Sequence, residues 1–517
     1  MLKFINGVSG SGKTTYIKNQ IKQLEMDNKK VMLIVPEQFS FETERNLYKL
    51  LGPKGNKNVK VLSFTRLCKE IFNKMGGGAG NYINHISKVV LMNLALEEVS
   101  ESLNCYKRSV KKIGFAKTVL EMISELKMAD ISPRKLEENI ERIEDNLLKE
   151  KISEISIIYS TYNALVQKKY VDELDDIARA TALIANKDFF KDYTVFFDEF
   201  ENFSQNQCLM ISEILKGSTD TYFSLCTDNN ETSKYSLFSP TIETQNHLLT
   251  IANNTGVKVA PIIKLQDNFQ AQNAEILHLH NNILRNVREK FSGEAHNISF
   301  VTADNEFDEV DFIASTIKHL VATQGAKFKD ILIIGRNLEP YNLVIKNTFE
   351  KRKIPFFSDM RFDVRNKPLI KFVTSIMNFA NSNYNSDEIF KLLKCGISKF
   401  DIKDISELEN YVYVWDINKK SWLNEFKANP SGFSDEQSEK NDNLLIKIND
   451  IRSFYIEPIS KFKSEIKTKS AKHISKSLFE LLNTLEVSKT LEDMMENSSI
   501  EVQKEISNVW DVVINLL

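Results

Sequence analysis

Gly7-Val8-Ser9-Gly10-Ser11-Gly12-Lys13-Thr14 satisfies the pattern G-x-x-x-x-G-K-[ST]. It lies between an apolar start (Leu2, Phe4, Ile5) and a helical spacing of Ile17, Ile21 and Leu24. A strand running into a glycine-rich turn and then a helix is the context a phosphate-binding loop requires. The glycines let backbone N–H groups wrap a phosphate, and the helix start adds its positive end. Lys13 reaches the β- and γ-phosphates, and the Thr14 hydroxyl is placed to hold Mg²⁺. The expected ligands are ATP and Mg²⁺, contacted by Gly7, Ser9, Gly10, Ser11, Gly12, Lys13, Thr14 and Thr15.

Outward from the loop, Val31-Met32-Leu33-Ile34-Val35, closed by Pro36, and Val59 to Ser63 read as buried parallel strands. Their carboxyl ends carry Glu37-Gln38-Phe39 and Phe64-Thr65-Arg66, at the edge where open α/β sheets bind ligands. From Ile86 to Phe190 the spacing becomes helical, as in Phe115, Val119, Met122, Ile123 and Leu126. The parallel-strand pattern returns at Tyr193 to Phe197, ending in Asp198-Glu199, and at Thr221 to Cys226. A second α/β pattern follows, with extended runs at 298–301, 331–334 and 354–357. Helical spacing dominates from Leu369 onward. The last helical face, through Val513 and Leu517, has no capping residue after it, so the chain is expected to continue in a longer protein.

At 517 residues the chain is long enough for two to four domains. Its 68 basic and 70 acidic side chains leave a formal charge of −2, so any nucleic-acid surface must be local. Five cysteines lie far apart without C-x-x-C spacing, which argues against a zinc site, a disulfide framework or an iron–sulfur cluster within these residues. With no run of membrane-spanning length and a core strand at the amino terminus, the expected location is the cytoplasm.

A P-loop ATPase needs a second acidic site, one carboxylate in the Mg²⁺ shell and another orienting the attacking water. Asp198 is assigned to the metal and Glu199 to the water. Asp198 follows Lys13 by 185 positions, most of them in the expected helical insertion. Helicase-like motors have that layout; the alternative is a cytosolic P-loop kinase or other NTP-dependent enzyme acting on a small molecule.

The order P-loop, Val35-Pro36-Glu37-Gln38-Phe39, Val61-Leu62-Ser63-Phe64-Thr65-Arg66-Leu67 and Phe197-Asp198-Glu199-Phe200 resembles the superfamily 1, UvrD-like helicases. Within them it is similar to the AddB-type subunits of bacterial AddAB (RexAB) helicase–nucleases. The likeness continues through Ile157 to Tyr162, Asp172 to Asp176, Asp330 to Arg336 and Ile354-Pro355. It implies RecA-like P-loop NTPase lobes with parallel sheets, each interrupted by an all-helical insertion. The first lobe would span 1–85 and 191–290, with its insertion at 86–190. The second lobe would start at 298–368, followed by a truncated insertion at 369–517.

The resemblance further implies that single-stranded DNA runs past the second and third strands. Phe64 would stack on a base, Arg66 would meet a phosphate or base edge, and Gln38 and Thr43 would donate hydrogen bonds. Phe203 is a further stacking candidate. Core packing competes for each ring, favoured for Phe39 and Phe203 and disfavoured for Phe64 at a strand end. Arg336 matches an arginine that contacts the γ-phosphate from the second lobe. Partners implied are DNA, single-stranded and with double-stranded ends, and an AddA-type helicase–nuclease subunit in a heterodimer that processes double-strand breaks for recombinational repair.

Three departures stand beside this likeness. No glutamine motif precedes the P-loop. Cys226-Thr227-Asp228-Asn229-Asn230 lacks the Gly-Asp-x-x-Gln-Ser-Ile-Tyr type of coupling motif. The family's nuclease domain, with its cysteine-bound iron–sulfur cluster, would lie beyond Leu517, so these residues are not expected to cut DNA or to unwind it alone.

Overall fold

The computed structural model describes the chain apart from residues 56–57, 113, 229–236, 270–272, 284–288, 359–363, 433–438 and 468–469, and apart from the side chains of 53–55 and 501. The chain divides into two compact units, Met1–Val301 and Thr302–Leu517.

In the first unit β1 (Leu2–Gly7), α1 (Lys13–Met26), β2 (Lys30–Ile34), α2 (Ser40–Gly55), β3 (Val59–Leu62) and α3 (Phe64–Met75) alternate. Four helices follow: α4 (His85–Val99), α5 (Phe115–Met128), α6 (Pro133–Ile140) and α7 (Asn146–Gln167). The chain then returns through α8 (Asp176–Ile184), β4 (Tyr193–Phe197), α9 (Gln205–Gly217), β5 (Asp220–Cys226), α10 (Ser239–Thr255), β6 (Ile263–Lys264) and α11 (Ala274–Asn282).

The strands form one six-stranded sheet in the order β3-β2-β4-β5-β1-β6. Every pairing is parallel. The apolar runs are continuous because both faces are covered by helices. Alternation along β4 still decides which face each side chain serves. Phe196 stacks on Tyr222 at 4.6 Å, and Phe197 stacks on Phe223 at 4.4 Å. Phe196 belongs to the cluster with Ile17 and Ile21 of α1, and Phe197 to the one with Leu67 and Ile71 of α3.

Helices α4 to α7 pack around their own core, including Met92, Leu96, Val119, Ile123, Ile158 and Tyr162. Glu154 ties this body to its longest loop: its buried carboxylate accepts the backbone N–H groups of Asn104, Cys105 and Tyr106 at 2.7, 2.8 and 3.0 Å. The expected insertion limits of 86–190 include α8. Here α8 packs on the sheet, with Ala180 and Ile184 in the same cluster as Phe197.

The second unit departs from expectation. No strand forms among its described residues, so the chain holds one parallel sheet and many helices rather than two sheets. The run 331–334 keeps a strand-like alternation: Ile331 and Ile333 pack against the cluster of α12 (Glu306–Gln324) and α13 (Asn342–Lys351), while Leu332 and Ile334 are 79% and 83% exposed. Apolar alternation seats one face of an extended segment on helices, but a strand also needs a hydrogen-bonding neighbour. Beyond it, helices from α14 (Pro368–Asn381) to α20 (Ile500–Leu516) enclose a large core around Trp422, Phe372, Phe379 and Phe462.

Candidate nucleotide-binding site

The P-loop leaves β1 at the carboxyl edge of the sheet. Gly12 sits in the left-handed region (φ 84°) and starts α1 with no side-chain cap on the first turn. A side chain at Gly7 would collide: a Cβ there would lie 2.3 Å from Ser11 Oγ and 2.9 Å from the Leu265 carbonyl oxygen. Ser11 is 2% exposed, and its hydroxyl has no hydrogen-bond partner. Uncapped N–H groups at a helix start and an orphaned buried hydroxyl together lack acceptors, and a bound phosphate supplies them. The loop therefore fits a nucleotide.

Lys13 Nζ donates to the Gly7 and Val8 carbonyls at 2.9 and 2.8 Å, so the amine is held inside the curl of its own loop. Thr14 Oγ1 donates to Glu199 Oε1 at 3.2 Å, linking two residues 185 positions apart. Asp198 is 3% exposed. Its backbone N–H donates to the Ile34 carbonyl at 3.1 Å, and its Oδ1 accepts from Ser224 Oγ. Glu199 adopts φ 66°, a left-handed conformation costing an ordinary residue about 1–2 kcal/mol. That turn aims its carboxylate at Thr14.

These groups line a cleft of about 750 Å³, large enough for a nucleotide. Among the described lining residues the cation is Lys13, and the carboxylates are Asp198, Glu199, Glu201 and Asp267. A bare triphosphate would be repelled by such a lining. The acidic lining fits a metal-bound one instead, for which Thr14 Oγ1 and Asp198 would be the divalent-cation ligands. Ser9, Gly10 and Thr15 line the same cleft.

Two participants were not expected. Ser224, on β5, lies inside a strand pattern where its hydroxyl has no local signal. Phe269, 67% exposed, follows the two-residue β6, too short to show any periodicity. Its N–H donates to the Gly10 carbonyl at 2.9 Å, and its ring lies 3.2 Å from where a Gly12 Cβ would be. The P-loop thus carries an exposed aromatic ring tethered at its edge.

The expected DNA contacts divide. Gln38 is exposed in the short turn of helix Glu37–Phe39, and Thr43 is half-buried on α2. Arg66, in the first turn of α3, pairs with Glu44 of α2 at 3.0 Å. Phe64 differs from expectation. It is 6% exposed and surrounded by Phe197, Phe200 and Phe203 at centroid distances of 6.1, 5.8 and 6.3 Å. As the first residue of α3 its ring turns under the helix into the core, where no base can stack. Phe203, half-buried, joins the same cluster, whereas Phe39 and Phe41 are 37% and 72% exposed. Arg336 is exposed in the second unit. Of the Cys226–Asn230 stretch, Asn229 and Asn230 lie outside the described residues.

A parallel sheet ending one strand in a lysine-bearing glycine loop and another in a buried aspartate defines a P-loop nucleotide-binding lobe. Residues 4–280 match the family model described as ADDB, N-terminal, and the chain belongs to that family. Over its whole length it is 30% identical to an ATP-dependent helicase/deoxyribonuclease subunit of Clostridium kluyveri and 32% identical to the subunit of the same name in Clostridioides difficile. The protein of that name in Clostridium perfringens is 30% identical. The chain spans 46% of the length of each of these relatives. No helix among the described residues is long and apolar enough to cross a membrane.

Proposed function

We propose that these residues bind Mg²⁺–ATP and grip single-stranded DNA within a helicase–nuclease subunit that processes double-strand DNA ends for repair. The observation that carries this reading is the Thr14–Glu199 contact, which joins the P-loop to the acidic strand end in one cleft. Lys13, released from the Gly7 and Val8 carbonyls, would hold the β- and γ-phosphates. Asp198, fixed by Ser224, would hold the cation with Thr14, and Glu199 would orient water. A bound Mg²⁺ supplies charge neutralisation on the phosphates. Phe269 would stack on the base.

The DNA path runs over the turn before α2 and the first turn of α3. Gln38 and Thr43 would offer hydrogen bonds and Arg66 a phosphate contact. The exposed rings of Phe39 and Phe41 take the stacking role expected of Phe64. The Arg66–Glu44 pair is solvent-exposed and weak enough for a phosphate to replace the carboxylate. Arg336 as a γ-phosphate contact, an AddA-type partner and an iron–sulfur cluster in the remainder of the full-length subunit rest on the family resemblance.

The test is titration of a fluorescent ATP analogue and of labelled single-stranded oligonucleotide. Lys13→Ala is expected to weaken Mg²⁺–nucleotide binding by about 1.5–3 kcal/mol, the value of a charge-assisted hydrogen bond. It should leave DNA affinity unchanged. Nucleotide binding without any affinity for DNA would instead favour an enzyme acting on a small molecule.

A further inference from the structure

Two connectors join the α4–α7 body to the sheet, residues 76–84 after α3 and 168–175 before α8. They are zipped together. Ile83 N–H donates to the Val171 carbonyl at 3.0 Å and Val171 N–H to the Asn81 carbonyl at 2.9 Å, a single parallel β-bridge at Tyr82 and Val171. The outgoing connector begins Gly76-Gly77-Gly78-Ala79-Gly80, where Gly77 has φ 96° and a Cβ on Gly80 would meet Val171 Cγ2 at 2.4 Å. A glycine run pressed against the returning chain is a pivot with few side-chain barriers.

A buried ionic cluster sits above this pivot. Asp172, 2% exposed, receives Lys88 Nζ of α4 at 2.6 Å and Lys127 Nζ of α5 at 3.0 Å. Lys127 also reaches Asp175 at 3.0 Å. Burial pushes the Asp172 carboxyl up, but Lys127, Lys88 and the Leu174 N–H outweigh it and hold the group below the usual carboxylate range. Two cations from two helices therefore converge on two carboxylates of one connector. Buried networks of this kind add little net stability, but they define one arrangement sharply.

The cluster is connected to the nucleotide cleft. The Lys127 carbonyl, in the last turn of α5, accepts from Asn206 Nδ2 at 2.9 Å. Asn206 is 6% exposed, and its Oδ1 has no donor. It stands in the first turn of α9, whose start is locked by reciprocal bonds between Ser204 and Gln207. The seven positions from Glu199 to Asn206 thus run from the Thr14 contact to the helical body.

We infer that Asn206 is a positioning residue that couples the Glu199 loop, through Lys127 and Asp172, to the orientation of the α4–α7 body. Nucleotide binding turns Thr14 away from Glu199, the loop to α9 shifts, and the body swings about the glycine connector. The inference rests on nucleotide binding at the P-loop. By linkage, whatever reorients the helical body changes nucleotide affinity by the same factor.

Hydrogen exchange on the full chain, with and without Mg²⁺ and a non-hydrolysable ATP analogue, reads this directly; binding is measured separately by fluorescence. In the wild type the analogue should alter exchange in residues 76–84 and 168–175 by about threefold to thirtyfold, the range over which such networks modulate coupling. Asn206→Ala should still bind the analogue but lose the connector response. Asp172→Asn, which keeps the side-chain size and removes the charge holding both lysines, should lose it too. A wild type that binds the analogue with no change in the connectors overturns the inference and needs no variant to do so. So does an Asn206→Ala protein that responds as the wild type does. A wild type that binds no nucleotide overturns the P-loop reading itself, and the coupling with it.

Discussion

Lys13, Thr14 and Glu199 are each satisfied by a neighbour that a nucleotide would displace: two loop carbonyls for the amine, and a carboxylate for the hydroxyl. Phe269 is different, because its exposed ring already stands beside Gly12. Phe269→Ala is expected to weaken ATP binding by about 1–3 kcal/mol, the usual value of base–aromatic stacking, while inorganic triphosphate binds as before; Phe269→Trp should retain affinity. Calorimetric titration of both ligands decides it, and an equal loss for both would remove the base contact. The thiols give a pH dependence. Burial, reinforced by the Asp176 carboxylate, pushes the Cys68 thiol up to about 12, and burial pushes Cys208 up to about 11. The folded state therefore binds more protons than the unfolded one above the ordinary thiol value of about 8.5, so stability falls as pH rises through that window and is unaffected below it. Thermal melts from about pH 8 to about pH 11 should fall less steeply in Cys68→Ala/Cys208→Ala than in wild type, even though that variant melts lower throughout.

At the scale of elements, the first turn of α3 and the loop after β4 share one aromatic cluster, and this decides which rings are buried and which stay exposed for the proposed DNA path. Phe64→Ala is expected to cost about 3–5 kcal/mol of stability, as for any large buried ring. Phe41→Ala should leave the denaturation midpoint unchanged and weaken single-stranded DNA binding by about 1–3 kcal/mol. Chemical denaturation and fluorescence anisotropy separate the two effects, and unchanged DNA affinity in Phe41→Ala would move the path away from α2. Composition at a strand's carboxyl end marks this region as ligand-facing. It does not say which of Phe39, Phe41 and Phe64 faces out, because a helix starting at Phe64 rotates each successive side chain by about 100°.

At the scale of the molecule, the buried clusters of each unit are drawn from its own residues. A fragment of residues 1–301 contains the whole sheet, the cleft and the α4–α7 body. It is expected to fold and to bind Mg²⁺–nucleotide with an affinity within about tenfold of the full chain, a difference of about 1.4 kcal/mol. Circular dichroism with the same titration checks this, and a folded fragment without affinity would show that the cleft depends on residues beyond 301.

The P-loop, the acidic strand end and the apolar strands were readable in the chain because each is a local event: a turn that needs glycine, a carboxylate at a strand terminus, a run with no polar break. The same reasoning expected a second sheet from the runs at 298–301, 331–334 and 354–357. Apolar extended segments are necessary for strands, but pairing is a property of neighbours, and among the described residues these have none. Contacts across long separations were decided by sheet order alone. Because β4 enters between β2 and β5, Ser224 reaches Asp198 and Glu199 meets Thr14; because β6 lies beside β1, Phe269 comes to rest over Gly12. Residue type and spacing specify what a segment can do, and only the packed sheet specifies what it stands next to.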